Sequence, residues 1–167
     1  AVVTNDIEIY NKVKMYRYAG TKSDPKKIIT NECFEVSLNH KIDTIQAAML
    51  LVARKHLPEK MKRRREIAKR YNEGFSDISQ ITCPEIQENE VHALYTYALQ
   101  FERRDELLVY LQERGIENKI YHVPLASNAP VYKDLPHHPT PVAIKVLERF
   151  LSIPGHEKVS DDQVDFV

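Results

Sequence analysis

Asn39, His40 and Lys41 put an amide, an imidazole and an ammonium on three successive residues, directly ahead of a run, IDTIQAAMLLV, that is apolar on nearly every side of a helix. Two chemistries suit that arrangement. A side-chain amide ahead of a helix can bond its first free backbone N–H groups, which is ordinary capping. The same amide, with an ammonium beside it and helix N–H groups behind it, can donate to an anion such as a phosphate. Asp43 can add negative charge to the first turn. Capping needs neither His40 nor Lys41, yet spacing alone leaves both readings open. A second candidate is KIYHVPLASNAPVY, residues 119–132, where a strand ends on Tyr121 and His122 and enters a loop of Pro, Ser and Asn. Polar groups at strand ends that feed irregular loops are a common place for ligands. A lone histidine is also commonly structural, and His122 stands open to both readings.

Other chemistry-bearing residues read as ordinary. Cys33 and Cys83 form no CxxC pair and have no activating neighbour in sequence, so they read as two buried thiols in a reducing compartment. His137 and His138 lack a cysteine or carboxylate at ligand spacing and sit among prolines, which suits a surface loop. The run KMKRRREIAKR, Lys60 to Arg70, could be a nucleic-acid helix, but Glu66 lies inside it, Glu59 and Glu73 flank it, and no aromatic shares the charged face. It reads as a solvated face. With four glycines in the chain there is no glycine-rich phosphate loop, and no Ser/His/Asp order stands out.

The elements that must carry the candidates follow from periodicity. Ala1 to Thr4 read as a buried strand, with an N-cap at Asn5 or Asp6. DIEIYNKVKMYRYAG is an amphipathic helix with Ile9, Val13 and Tyr16 on one face and Gly20 as terminator. Residues 21–36 read as an exposed loop. Ile42 to His56 form the apolar helix, which Pro58 breaks, kinks or restarts. A second helix, 59–75, carries Met61, Ala68, Tyr71 and Phe75 as one stripe. Residues 92–101 alternate as a strand with Tyr95, Tyr97, Leu99 and Phe101 on its apolar side. A helix capped by Asp105 and closed by Gly115 follows, then a strand over IENKIYHV, a Pro-rich loop, a helix opening at Pro141, a short strand LSIP and a last helix capped by Ser160. Such an order gives a small sheet with helices packed on one face.

Size and charge bound the function. The 167 residues make one domain, or one domain and part of another. Lys+Arg and Asp+Glu both number 24, so net charge provides no pull toward nucleic acid or an anionic membrane. No apolar run approaches a membrane span and no signal peptide is visible, which makes the cytoplasm the default expectation. A chain that starts in a strand and stops in a helix reads as part of a longer protein.

AVVTND, YRYAG, SLNHKIDTIQAAMLLV, KRRREIAKRYNEGF, RDELLVYLQERGI, HVPLASNAPVY and LSIP occur here in an order that resembles the DegT/DnrJ/StrS sugar aminotransferases, over essentially the whole chain. IDTIQAAML followed by RREIAKRYNEGF is quite specific to that family, and RDELLVYLQERGI less so. The resemblance implies an α/β protein: the C-terminal part of a fold that binds pyridoxal 5'-phosphate (PLP). Residues 1–56 would be the end of the large domain and its interface helix. Residues 57–167 would be a linking helix and an α+β small domain, a small antiparallel sheet covered by helices. It implies transfer of an amino group from glutamate to a nucleotide-linked ketosugar, in surface polysaccharide or related sugar synthesis, by a homodimer. Asn39 matches the asparagine that reaches the PLP phosphate of the opposite subunit. The apolar helix would then be buried at domain and subunit contacts. Lys41 stands where the family has arginine, keeping the charge but losing the planar fork. His40, Lys41, Tyr121 and His122 match positions near the substrate. The lysine that holds the cofactor in the family matches nothing in this chain, which predicts that the chain alone is inactive and that none of its residues is catalytic. A non-catalytic binding or regulatory module that kept the fold is the alternative; no metal, nucleic acid or membrane partner is expected.

Overall fold

Asp6 starts the first helix: its Oδ1 accepts from the backbone N–H of Glu8 at 2.8 Å and of Ile9 at 3.2 Å, and α1 then runs Ile7–Arg17. In this computed structural model the described residues are 1–21, 32–87, 89–121, 123–132, 134–136 and 138–167. They divide into two compact units, Ala1–Lys55 and His56–Val167.

In the first unit, α1 ends on a left-handed turn. Gly20 has φ +76°, and its N–H donates to Met15 O at 3.1 Å. The returning chain packs directly on that turn. Phe34 N–H donates to Gly20 O at 2.9 Å, Cys33 Sγ donates to Ala19 O at 2.9 Å, and Ser37 Oγ donates to Tyr16 O at 3.0 Å. A Cβ on Gly20 would stand 1.8 Å from Glu35 O, so both the conformation and the close approach require glycine there. The expected strand at Ala1–Thr4 does not form. No described strand lies beside it to supply a ladder, and Val3 is 94% exposed. The thiols also differ from expectation: Cys33 is exposed and Cys83 half-buried, both free. Much of the expected loop at 21–36 falls on residues 22–31, outside the described residues.

Asp43 opens α2, Thr44–Gly74, with its Oδ1 accepting from Ile45 N–H at 2.8 Å and Gln46 N–H at 3.4 Å. Pro58 was expected to break or kink the apolar helix or to start a new one; it lies inside one helix of 31 residues, so no break occurs there. Proline removes one intrahelical bond, at a cost of about 3 kcal/mol, and good helix formers flank it on both sides. The apolar first part of α2 was expected to be buried. Within this chain it is exposed: Ile45 by 73%, Met49 by 66%, Leu51 by 62%.

The second unit has a true core. Its sheet is antiparallel, in the order β1 (Ile81–Thr82), β2 (Tyr97–Phe101), β3 (Phe150–Ile153). Register pairs Tyr97 with Ile153 and Leu99 with Leu151, so four buried side chains share one face. Ile67, Ala68 and Tyr71 of α2 join that cluster, with the Tyr71 ring 4.9 Å from that of Tyr97. Leu111 of α3 (Arg104–Glu113) and Val164 of α5 (Asp161–Phe166) complete it. Each large apolar side chain fully buried here contributes roughly 1.5–3 kcal/mol. α4, Pro141–Arg149, opens on Pro141 as its sequence requires. Ser160 and Gln163 form a complete capping box on α5. The architecture is the expected α/β class with a small antiparallel sheet.

Three local expectations are corrected. β2 starts at Tyr97, not residue 92, because Leu94 takes φ +47° and ends the alternation; Tyr95 is consequently exposed. The N-cap of α3 is Arg103, not Asp105, which falls in the first turn. Among its described residues IENKIYHV forms a single bridge, Lys119 to Ser152, and not the expected strand, because Ile116 is taken up in closing α3: Gly115 N–H bonds Gln112 O and Ile116 N–H bonds Leu111 O.

The basic run on α2 turns out to be a clasp. Arg64 meets Glu157 Oε2 through two nitrogens, at 3.0 and 2.7 Å, and Lys60 meets Oε1 at 3.1 Å. Arg63 reaches Asp161 at 2.7 Å and Val159 O at 2.8 Å, while Arg70 reaches Asp161 at 2.9 Å and Asp165 at 2.5 Å. Four cations of the run therefore tie α2 to α5 and the turn before it.

Two outcomes follow. Gly20→Ala should destabilise the protein by about 2–4 kcal/mol, combining a left-handed backbone with overpacking, measured by denaturant unfolding of the intact protein. A backbone N–H, then Arg64 and Lys60, hold the Glu157 carboxyl down at about 2. A carboxyl lowered on folding stabilises above its unfolded value, near 4.5, and that contribution fades as pH falls toward about 2. Unfolding curves between those limits should lose part of their pH slope in Glu157→Gln.

Candidate functional site

The turn of chain before α2 presents its polar groups outward. Asn39, His40 and Lys41 are all exposed, in a segment without regular structure. Asp43 caps the helix, so the capping role open to Asn39 is taken. The N–H groups of Ile45, Gln46 and Ala47 all bond Asp43, the last to its carbonyl at 2.8 Å. The N–H groups of Ile45 and Gln46 are thus occupied as well, which leaves side chains as the main donors for any anion here. The signal for this was readable: Asp43-Thr44-Ile45-Gln46 has capping-box spacing.

Asn39 makes no hydrogen bond to a described residue, and Lys41 forms no ion pair among them. Lys41 instead holds its ammonium 4.3 Å from the centroid of the Tyr18 ring. Tyr18 is the C-cap residue of α1. No sequence signal pointed to this pairing, because a contact between positions 18 and 41 leaves no periodic trace. The site therefore offers an amide and an uncancelled positive charge, a donor set suited to an anionic oxygen.

Tyr121 lies in the second unit, half-buried, with the Lys119 ammonium 4.7 Å from its ring centroid. The Lys119 backbone exchanges hydrogen bonds with Ser152 at 3.0 and 2.9 Å. A small cleft of about 120 Å³ is lined there by Tyr95, Asn118, Lys119, Tyr121, Ser152 and His156. His122 and His137 lie outside the described residues. The structure thus places Asn39, His40 and Lys41 together in one unit and Tyr121 in the other.

The strongly shifted tyrosines are core groups. Burial pushes the Tyr71 hydroxyl up to about 12, and burial followed by the Cys83 thiol pushes Tyr97 higher still. Both hydroxyls stay protonated and donate, Tyr71 to Pro154 O at 2.8 Å and Tyr97 to Asn72 Oδ1 at 2.6 Å. Among the described residues no group of His, Cys, Asp and Glu is arranged to hold a metal ion, and no helix is long and apolar enough to cross a membrane.

The whole chain, residues 1–167, matches the model of the DegT/DnrJ/EryC1/StrS aminotransferase family, and the chain belongs to that family. It is 29% identical to the erythromycin biosynthesis sensory transduction protein EryC1 of Saccharopolyspora erythraea, over 100% of this chain and 44% of that protein. It is 28% identical to a dTDP-3-amino-3,4,6-trideoxy-alpha-D-glucose transaminase of Streptomyces venezuelae, over 92% of this chain and 40% of the other. A crystal structure of a DegT DnrJ EryC1 StrS aminotransferase from Brucella abortus superposes with a TM-score of 0.84 at 32% identity, covering 98% of this chain and 42% of that one. The chain spans less than half the length of these relatives.

Capping and ligand roles separate by mutation. Asp43→Ala should lower stability by about 1 kcal/mol, the usual loss of an N-cap, while Asn39→Ala leaves thermal unfolding unchanged.

Proposed function

We propose that the chain is the C-terminal portion of a PLP-dependent aminotransferase that moves an amino group from glutamate onto a nucleotide-linked ketosugar, in cytoplasmic synthesis of surface polysaccharide or related sugars. The family match over residues 1–167 carries this reading. The similarity to the Streptomyces transaminase supports a nucleotide-linked sugar as acceptor. Residues 1–56 would end the large domain, and residues 57–167 would form the small domain.

The donor set fits the cofactor: an amide without a hydrogen-bond partner and an ammonium without a counter-ion among the described residues suit a phosphate and a charged substrate. Asn39 would donate its amide N–H to the phosphate of a cofactor held by the opposite protomer of a homodimer. Lys41 neutralises an anionic group of the substrate. His40, Tyr121 and His122 contact the substrate's polar groups. Bound PLP would supply the electron-withdrawing ring that amino transfer requires. The exposed apolar run of α2 at Ile45, Met49 and Leu51 supports an assembled state in which that run is covered. The family's cofactor-holding lysine has no counterpart here, so the chain by itself does not transfer amino groups. A regulatory module is the second reading, favoured by the sensory-transduction name of the Saccharopolyspora relative.

The test uses the full-length protein. It should take up PLP, seen as visible absorbance, and aminate a nucleotide-linked ketosugar at the expense of glutamate. Asn39→Ala should weaken PLP affinity by about tenfold or more, the loss of a hydrogen bond to a charged group. A full-length protein that takes up no PLP would overturn the enzyme reading and favour the regulatory one.

A further inference from the structure

We propose that Tyr18 is a positioning residue for Lys41, its ring holding the ammonium in place for an anionic group of the substrate. The proposal rests on the reading that Lys41 faces an anion. A lysine has a flexible four-carbon stem and loses more freedom than a pre-organised guanidinium for each bond it makes. Something must therefore restrain it if it is to serve as a fixed charge. A carboxylate partner would restrain it but would cancel the charge and occupy its N–H donors. An aromatic face attracts the ammonium and leaves donors free.

The geometry meets that need. The Lys41 ammonium is 4.3 Å from the ring centroid. The other lysine contacts on α1 are longer and join neighbours on the same helix: Lys12 over Tyr16 at 5.9 Å, Lys14 over Tyr10 at 6.0 Å. Arg17 also approaches the Tyr18 ring, at 5.8 Å, and is the weaker competitor by distance.

Tyr18 is itself fixed at the backbone. Its N–H donates to Met15 O at 3.0 Å, and its carbonyl accepts from Thr21 N–H at 3.1 Å and Thr21 Oγ1 at 2.7 Å. The segment leading to Lys41 is tied to the same helix end through Ser37 Oγ and Phe34 N–H. Gly20, which admits no side chain, lets the two stretches approach. Ring and lysine thus sit on two strands of chain held in one register.

The test measures inorganic pyrophosphate, the anion common to nucleoside diphosphates, binding to the full-length protein loaded with PLP. Lys41→Met should weaken binding about tenfold or more, as expected for a lost charged hydrogen bond. Tyr18→Leu should weaken it about two- to fivefold, the worth of an exposed cation–π contact, and Tyr18→Phe, which keeps the ring, should change it by less than about twofold. In the Lys41→Met background, Tyr18→Leu should have no further effect. Effects that add, or a Tyr18→Leu protein that binds as the unaltered one does, overturn the proposal. No loss in Lys41→Met overturns the anion reading of Lys41 and the role of Tyr18 with it. An independent readout needs no variant: in the unaltered protein labelled at lysine Cε, the Lys41 methylene should show an upfield ring-current shift. Its absence also overturns the proposal.

Discussion

Tyr71 against Tyr97 is the contact around which the second unit is built. It brings α2 to the face of β2 that also carries Leu99, and through the β2–β3 register to Leu151 and Ile153. The ion pairs along the same helix act at the edge of that apolar contact. Surface pairs such as those of Arg63 and Arg70 are individually worth about 0–1 kcal/mol, so these orient α5 more than they supply the bulk of stability. The buried cluster supplies that bulk.

The first unit shows the opposite balance. Gly20 alone among its described residues is buried, and its order comes from hydrogen bonds around that one turn rather than from a core. Its apolar side chains, along α2 above all, face outward in this chain. A surface of that character is of the kind that marks a contact with another surface. The proposed homodimer would supply it, and it would place the exposed donors of Asn39 and Lys41 beside that contact. Binding groups at an interface gain from the exclusion of water, because a charge meets its partner more strongly where the dielectric falls.

Lys41 illustrates how a changed residue can be accommodated. The resemblance places arginine at this position, and the planar fork of arginine is its own restraint. Tyr18 offers a lysine a comparable restraint from outside. The basic run of Lys60 to Arg70 shows a related economy, since its charges are used within the protein and not offered as a continuous surface.

Much of the second unit was legible in the sequence. Ala68, Tyr71 and Phe75 of the expected stripe, the closure of α3 at Gly115, the start of α4 at Pro141 and the Ser160 cap are local signals, and local geometry enforces them; Met61 stays outside the core and Ile67 takes its place. The membership of the family was legible too, through ordered motifs. What the sequence could not decide were matters settled by distant neighbours. Whether Ala1–Thr4 pair as a strand depends on having a ladder beside them. Where β2 starts depends on the left-handed turn at Leu94. The partner of Lys41 lies on another element altogether. Periodicity records which face of an element is apolar, but contacts between elements arise only when the chain closes on itself, and these the tertiary structure alone decided.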